Sequence, residues 1–180
     1  MKKRVKKDKK ELNSLLGIFT RYIIALVLGL NLWIFDSVFL PLTFYPIIFI
    51  LKLFFDISYL IPYIIIDKYA INLVSACIAG SAYYLLAVLV LITRGIDIKK
   101  RLKMILFAFS TFFIVNIIRI IVLSVLFINE FNLFDLAHKV TWYGLSAIFV
   151  FFVWLLTIKI FKIKTIPFYS DFLYIKGIRK

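Results

Sequence analysis

The sequence predicts an all-α, polytopic membrane protein, and three counts carry that prediction. Of 180 residues, 64% are hydrophobic and 18% aromatic, whereas about half of an ordinary globular domain is apolar. The excess has to face lipid. One Cys and one His exclude a disulfide framework and a zinc site of the usual Cys/His type, so no metal or cofactor is expected. The formal charge of +14 arises from 23 bases against 9 acids, and the way the bases cluster points to membrane orientation rather than to a nucleic-acid partner.

Taken in order, residues 1–14 hold seven bases between Lys2 and Lys10 and read as a basic cytoplasmic arm. Leu15 to Phe35 is an apolar run of 21 residues, long enough at about 1.5 Å per residue to cross a hydrocarbon core of about 30 Å. Arg21 is near enough to its start to snorkel to the headgroups. The run is too long for a signal peptide and no small-residue cleavage site follows it, so a retained first helix is expected. Three further spans follow, Ile78 to Ile92, Met104 to Ile128 and His138 to Ile158, making about four clear transmembrane helices. The loop from Arg94 to Lys103 carries five bases and the segment from Lys159 onward six, so eighteen of the 23 fall where the positive-inside rule puts the cytoplasm. The segment Asn129 to Ala137 contains Glu130 and Asp135 and no base. Both termini are therefore expected inside, with an integral membrane domain at 15–161 and a basic cytoplasmic tail at 162–180.

Residues 36–76 must then begin and end outside. Pro41, Pro46, Lys52, Asp56 and Pro62 interrupt this apolar stretch. An interfacial or re-entrant helix around Pro46 to Leu60 is expected, with Lys52 and Asp56 paired at i, i+4; two tilted crossings satisfy the same parity. Tyr63–Ile66 and Tyr69–Val74 are rich in β-branched and aromatic residues and flank Asp67-Lys68, which predicts a small outer-face hairpin.

The polar residues inside the apolar part carry the functional signal, because a charge deep in a span costs at least about 2.5 kcal/mol. Arg119 lies near the middle of the third span with Asn116 one turn earlier on the same face. Cys77 begins the second span and His138 the fourth, and helix polarity puts both at the outer face, toward which Arg119 can extend from about 14 Å below its helix end. A lone Cys in an apolar helix is ordinarily a packing residue and a lone His at a helix start an interfacial one. Their meeting with the one mid-span guanidinium reads as chemistry. A Cys nucleophile in apolar surroundings needs positive charge and a base; His138 can take the thiol proton and return it to a leaving amine, and Arg119 can stabilise an oxyanion. Dithiol redox chemistry lacks a second Cys.

Ala76-Cys77-Ile78-Ala79-Gly80, Asn116-Ile117-Ile118-Arg119 and His138-Lys139-Val140-Thr141-Trp142-Tyr143-Gly144 resemble, in order and spacing, the three motifs of the exosortase/archaeosortase family: a Cys followed closely by Gly, an Asn-x-x-Arg, and a His with a Gly about six positions on. The resemblance covers roughly Ile57 to Trp154. Many members have Ser-Gly directly after the Cys, and the chain looks like a short, minimal version. The resemblance implies a membrane-embedded cysteine transpeptidase or protease that cleaves a C-terminal sorting signal, made of a short motif, a transmembrane helix and a basic tail, at the outer face of the cell membrane. It implies Cys77 as nucleophile, Arg119 as transition-state or substrate-positioning cation and His138 as acid/base, with Asn116 and Gly80 in support. Tyr83 and Tyr84 are expected along the groove. The implied partners are membrane lipids, substrate proteins bearing that signal, and a surface or lipid acceptor. Two other classes fit the composition: a non-catalytic transporter or assembly factor in which Arg119 pairs with an acid such as Asp56, and a thiol acyltransferase loaded on Cys77.

Overall fold

The computed structural model of the chain describes the backbone of residues 2–141, 144, 146–163, 165, 167 and 169–178, and the side chains of residues 15–141, 144, 146–163, 165, 167, 171, 172 and 174–177. It is mostly helical, with eight α-helices and one sheet among the described residues. In order these are α1 (Lys2–Leu30), α2 (Trp33–Leu51), β1 (Ile57–Leu60), β2 (Tyr63–Ile66), β3 (Tyr69–Asn72), α3 (Ser75–Ile78), α4 (Gly80–Ile92), α5 (Ile98–Ile128), α6 (Phe134–Val140), α7 (Ser146–Ile160) and α8 (Tyr169–Ile178).

Two helices, α2 and α5, are long and apolar enough to cross a membrane. Leu15–Leu30, Gly80–Ile92 and Ser146–Ile160 are shorter apolar helices, so two single helices of spanning length are shown among the described residues where the sequence predicts four. Each of the other runs is interrupted. The first breaks at Asn31 and Leu32, where the Asn31 amide donates back to the Val27 carbonyl at 2.9 Å and so competes with the backbone ladder. The second breaks at Ala79, whose φ of +59° turns the chain from α3 into α4. The last is divided between α6 and α7, where Thr141 and Gly144 sit in a turn wider than an α-helix and Trp142 and Tyr143 lie outside the described residues.

The region expected as an interfacial helix from Pro46 to Leu60 folds otherwise. α2 runs through Pro41 and Pro46 and stops at Leu51, while Ile57–Leu60 is a strand. Lys52 does not pair with Asp56; its amine lies 4.9 Å from the centre of the Tyr59 ring. The β-branched and aromatic content that predicts the hairpin begins at Ile57, and the sheet accordingly gains a third strand. Order is β1-β2-β3, antiparallel throughout, with Ile57 opposite Ile66 and Tyr63 opposite Asn72. The β2–β3 turn is Asp67-Lys68, with Asp67 at φ +50°, a left-handed conformation that the short polar Asp side chain tolerates.

β2 alternates exposed and buried residues, and its buried pair, Ile64 and Ile66, packs into a cluster with Phe44, Ile47, Ile48 and Leu51 of α2 and Ile117 and Ile120 of α5. A second cluster joins Tyr83 and Leu86 of α4, Ala108 and Phe112 of α5, and Val150 and Val153 of α7. α1 meets α4 through small residues: Ala25 packs on Val88 and Ile92, and a Cβ at Gly29 would strike the Tyr84 ring. α1 and α2 thus succeed one another along the same side of the bundle. Arg21 bonds the Thr93 carbonyl, Phe35 and Phe39 pack on Tyr84 and Tyr83, and Leu51 reaches the cluster of Ile120.

Candidate active site

Cys77 is the third residue of α3, a single helical turn that follows β3 directly. Its N–H donates to the Val74 carbonyl at 2.8 Å, and the Ala79 N–H closes the turn on the Ser75 carbonyl at 2.9 Å. Ala79 in the left-handed region then redirects the chain, at a cost of about 1–2 kcal/mol for a residue with a Cβ. A helix that stops leaves its last carbonyls without partners, and here the stop falls in apolar surroundings where an orphan is expensive.

α5 supplies the missing donors. The Asn116 amide donates to the carbonyls of Cys77 at 3.0 Å and Ile78 at 3.3 Å. One turn on, Arg119 donates through Nη2 to the carbonyls of Ala76 and Cys77, both at 3.2 Å. Its Nη1 donates to the Ser146 hydroxyl at 2.7 Å, which in turn donates to the Thr141 carbonyl at 2.8 Å. The guanidinium therefore ties the end of α3 to the start of α7. Its Nε and the Oδ1 of buried Asn116 are enclosed without a hydrogen-bond partner. The break at α3 thus sets the Cys77 backbone directly against Arg119.

Cys77, Arg119 and His138 line one cavity of about 230 Å³. Its lining includes the continuous segment 70–74, ending three residues before Cys77, together with Leu123, Phe127 and Phe134. The His138 ring stacks on Phe134, with centroids 5.6 Å apart and planes 12° apart. At the rim the Lys68 amine meets the Glu130 carboxylate at 2.7 Å, and the Tyr69 hydroxyl donates to the same oxygen. These two donors hold the Glu130 carboxyl below the usual carboxylate range, and the bond to Glu130 in turn raises Lys68 above its ordinary value. The sheet turn is thereby fastened to the end of α5.

Gly80 is the first residue of α4, and its role is steric. A Cβ there would collide with the Asp36 carboxylate and lie 3.2 Å from the Asp36 backbone nitrogen. The missing side chain lets α2 close on the start of α4, where an anion is also favoured by the helix dipole. Tyr83 and Tyr84 are not in the groove. Tyr83 is fully buried between Phe39, Phe109 and Phe112, and the Tyr84 hydroxyl donates to the Ala25 carbonyl at 3.2 Å.

Sequence reasoning passes over Ser146, Thr141 and Asp36. The signal for Ser146 is an isolated hydroxyl in an apolar run eight residues after His138; for Asp36 it is a carboxylate one residue beyond the first apolar run, a place where it looks like ordinary solvent-facing charge. Compared with protein-family models, with curated proteins and with solved structures, the chain matches none of them.

Proposed function

We propose that the chain is a membrane-embedded cysteine transpeptidase or protease that cleaves a C-terminal sorting signal at the outer face of the cell membrane and passes the protein to an amine on a lipid or surface acceptor. The observation that carries this reading is the meeting of the only thiol, the only imidazole and the mid-helix guanidinium on one cavity. In the topology we favour, α1 and α2 form one kinked crossing from the cytoplasm, α4 returns, α5 crosses outward, and α6 with α7 returns. The sheet, α3 and α6 then lie toward the outside, and eighteen of the 23 bases lie inside.

The substrate's own transmembrane helix lies against the bundle and brings its scissile bond to the cavity. His138 takes the Cys77 proton, and the thiolate adds to the scissile carbonyl. Arg119, whose Nη groups are held by the Ala76 and Cys77 carbonyls and the Ser146 hydroxyl, supplies positive charge to the oxyanion. Collapse breaks the C–N bond; the imidazolium gives its proton to the leaving amine, and the acyl group stays on Cys77 as a thioester. The acceptor amine then attacks that thioester, loses a proton to His138, and the thiol re-forms. Water in place of the amine gives hydrolysis by the same steps. Asn116 fixes the thiol-bearing turn through its two carbonyl bonds. The non-catalytic reading, with Arg119 paired to an acid, draws no support from its actual partners, which are two carbonyls and a hydroxyl.

Cells whose only copy carries Cys77→Ala should accumulate substrate that keeps its C-terminal helix; a cleaved, surface-linked product in those cells overturns the reading. Mass spectrometry of the active protein should find a peptide acyl group on Cys77, and a fatty acyl group there would assign it to acyltransferases instead.

A further inference from the structure

β3 is an edge strand. It pairs with β2 on one side and with no strand on the other among the described residues. Which of its backbone groups are spare follows from the ladder. The Leu73 N–H donates to the Pro62 carbonyl at 3.1 Å, which continues the register in which Tyr63 faces Asn72 and Ile64 faces Ile71. Antiparallel strands alternate bonded and non-bonded pairs, so Leu73, Ile71 and Tyr69 direct their backbone groups toward β2. Ala70 and Asn72 direct theirs outward. The Asn72 carbonyl already accepts from the Val74 N–H at 3.1 Å, leaving the N–H and C=O of Ala70 and the N–H of Asn72 on the open edge.

That edge is a wall of the cavity. Successive side chains of a strand point to opposite faces, so a wall formed by one face would use every second residue. Here all five residues of 70–74 line the cavity, which is the mark of an edge. The same segment leads, three residues on, to Cys77. Phe127 and Phe134 line the same cavity, with Phe127 packed on Tyr69 at the start of β3, and the Lys68 and Tyr69 bonds to Glu130 fasten the strand to the end of α5.

An open edge with spare donors and acceptors is a template for one more strand. We infer that the substrate is held as an extended peptide added to the free edge of β3, its backbone bonded to Ala70 and Asn72 and alternate side chains set against Phe127 and Phe134, so that its scissile carbonyl arrives beside Cys77. This rests on the peptidase reading above and specifies how it selects substrate: polypeptide is recognised first by its backbone, and sequence only at alternate positions. A five-residue segment at about 3.3 Å per residue spans about 16 Å, enough to run the length of β3 and reach the thiol.

The test uses the full chain in lipid nanodiscs and a pool of acetyl-pentapeptidyl chloromethyl ketones randomised at every position, which alkylate a thiol with loss of chloride. Two matched pools carry N-methyl groups at odd or at even positions, and iodoacetamide serves as the reference reagent; Cys77 modification is followed by mass spectrometry. One methylated pool should react about tenfold more slowly than the unmethylated pool, because it loses the bonds to β3, while the other reacts normally. Ala70→Pro removes an outward N–H without touching the β2 ladder; it should slow the unmethylated pool and leave the iodoacetamide rate unchanged. Equal rates for all three pools, or no advantage of any pool over iodoacetamide, overturn the added strand. His138→Ala separates the two levels of the argument. If it leaves every rate unchanged while the methylation contrast persists, the peptide mode stands and the acid/base chemistry falls.

Discussion

Two guanidinium groups close helix ends about 27 Å apart along α5, and only one of them makes a site. Near the start of α5, Arg101 donates to the carbonyls of Leu91 and Thr93 at the end of α4 and of Ile96 in the loop that follows. Arg21 adds a bond to the Thr93 carbonyl and pairs at 3.3 Å with Asp171 of α8, which is 2% exposed, and the Arg94 guanidinium lies 3.3 Å from the centre of the Tyr174 ring. Carboxylate and ring fill the space, and the result is a fastening for the tail helix. At the other end Arg119 does the same work for α3, but among the described residues no carboxylate pairs with it, and a cavity opens beside it. A planar fork of donors suits helix-end carbonyls in either place; what differs is whether the charge and the space are already taken.

The largest effect should come from Arg119→Ala. Stranding the Ala76 carbonyl and weakening the hold on Cys77 and Ser146 should lower stability by about 3–5 kcal/mol in thermal unfolding and, under the proposed mechanism, abolish thioester formation on Cys77. Arg119→Lys keeps a charge but not the fork, and should recover less than half of that stability. Arg101→Ala is the counterpart at the filled end. It should cost about 2–3 kcal/mol and loosen α8 while leaving the iodoacetamide rate of Cys77 unchanged; a changed rate would break the contrast between the two ends. Gly80→Ala should cost about 1–3 kcal/mol by overpacking against Asp36, and the double variant with Asp36→Ala should recover part of it, a coupling of at least about 0.5 kcal/mol.

The smallest effect concerns pH. The Glu130 carboxyl is held below its ordinary value by Lys68 and Tyr69, so the contribution of this exposed link is present above the ordinary carboxylate value of about 4.3 and is lost as pH falls through the lower value it has in the fold. The protection factor of the amides in the Asp67-Lys68 turn, exchange measured against the intrinsic rate at each pH, should fall over that acid range in the native protein and show no such fall from this link in Glu130→Gln.

The legible parts of this molecule are those whose signal is local. The Asp67-Lys68 turn with its flanking β-branched residues announces the β2–β3 hairpin, and the spacing of Asn116 and Arg119 announces a shared helix face. The break at Ala79 is not legible, because Ala79 is neither Gly nor Pro and the donors that satisfy the carbonyls before it come from α5, thirty-seven residues and more away in sequence. β1 was masked by the helical look of Lys52 and Asp56 at i, i+4. The same nonlocality hides Ser146, whose value comes only from the guanidinium across from it, and misplaces Tyr83, whose ring belongs to a core that composition cannot reveal.

The 13 residues of α4 have a further consequence under the proposed topology. At about 1.5 Å per residue such a helix is about 20 Å long, well short of a hydrocarbon layer of about 30 Å. Most of its residues are buried against α1, α2, α5 and α7, so lipid meets the surrounding helices and not α4 itself, and no thinning of the bilayer is needed to match it. The turn that carries Cys77 then stands recessed within the bundle by up to about 10 Å, reached through the protein-walled cavity rather than across lipid. The iodoacetamide rate of Cys77 should accordingly change little as the acyl chains of the surrounding bilayer lengthen.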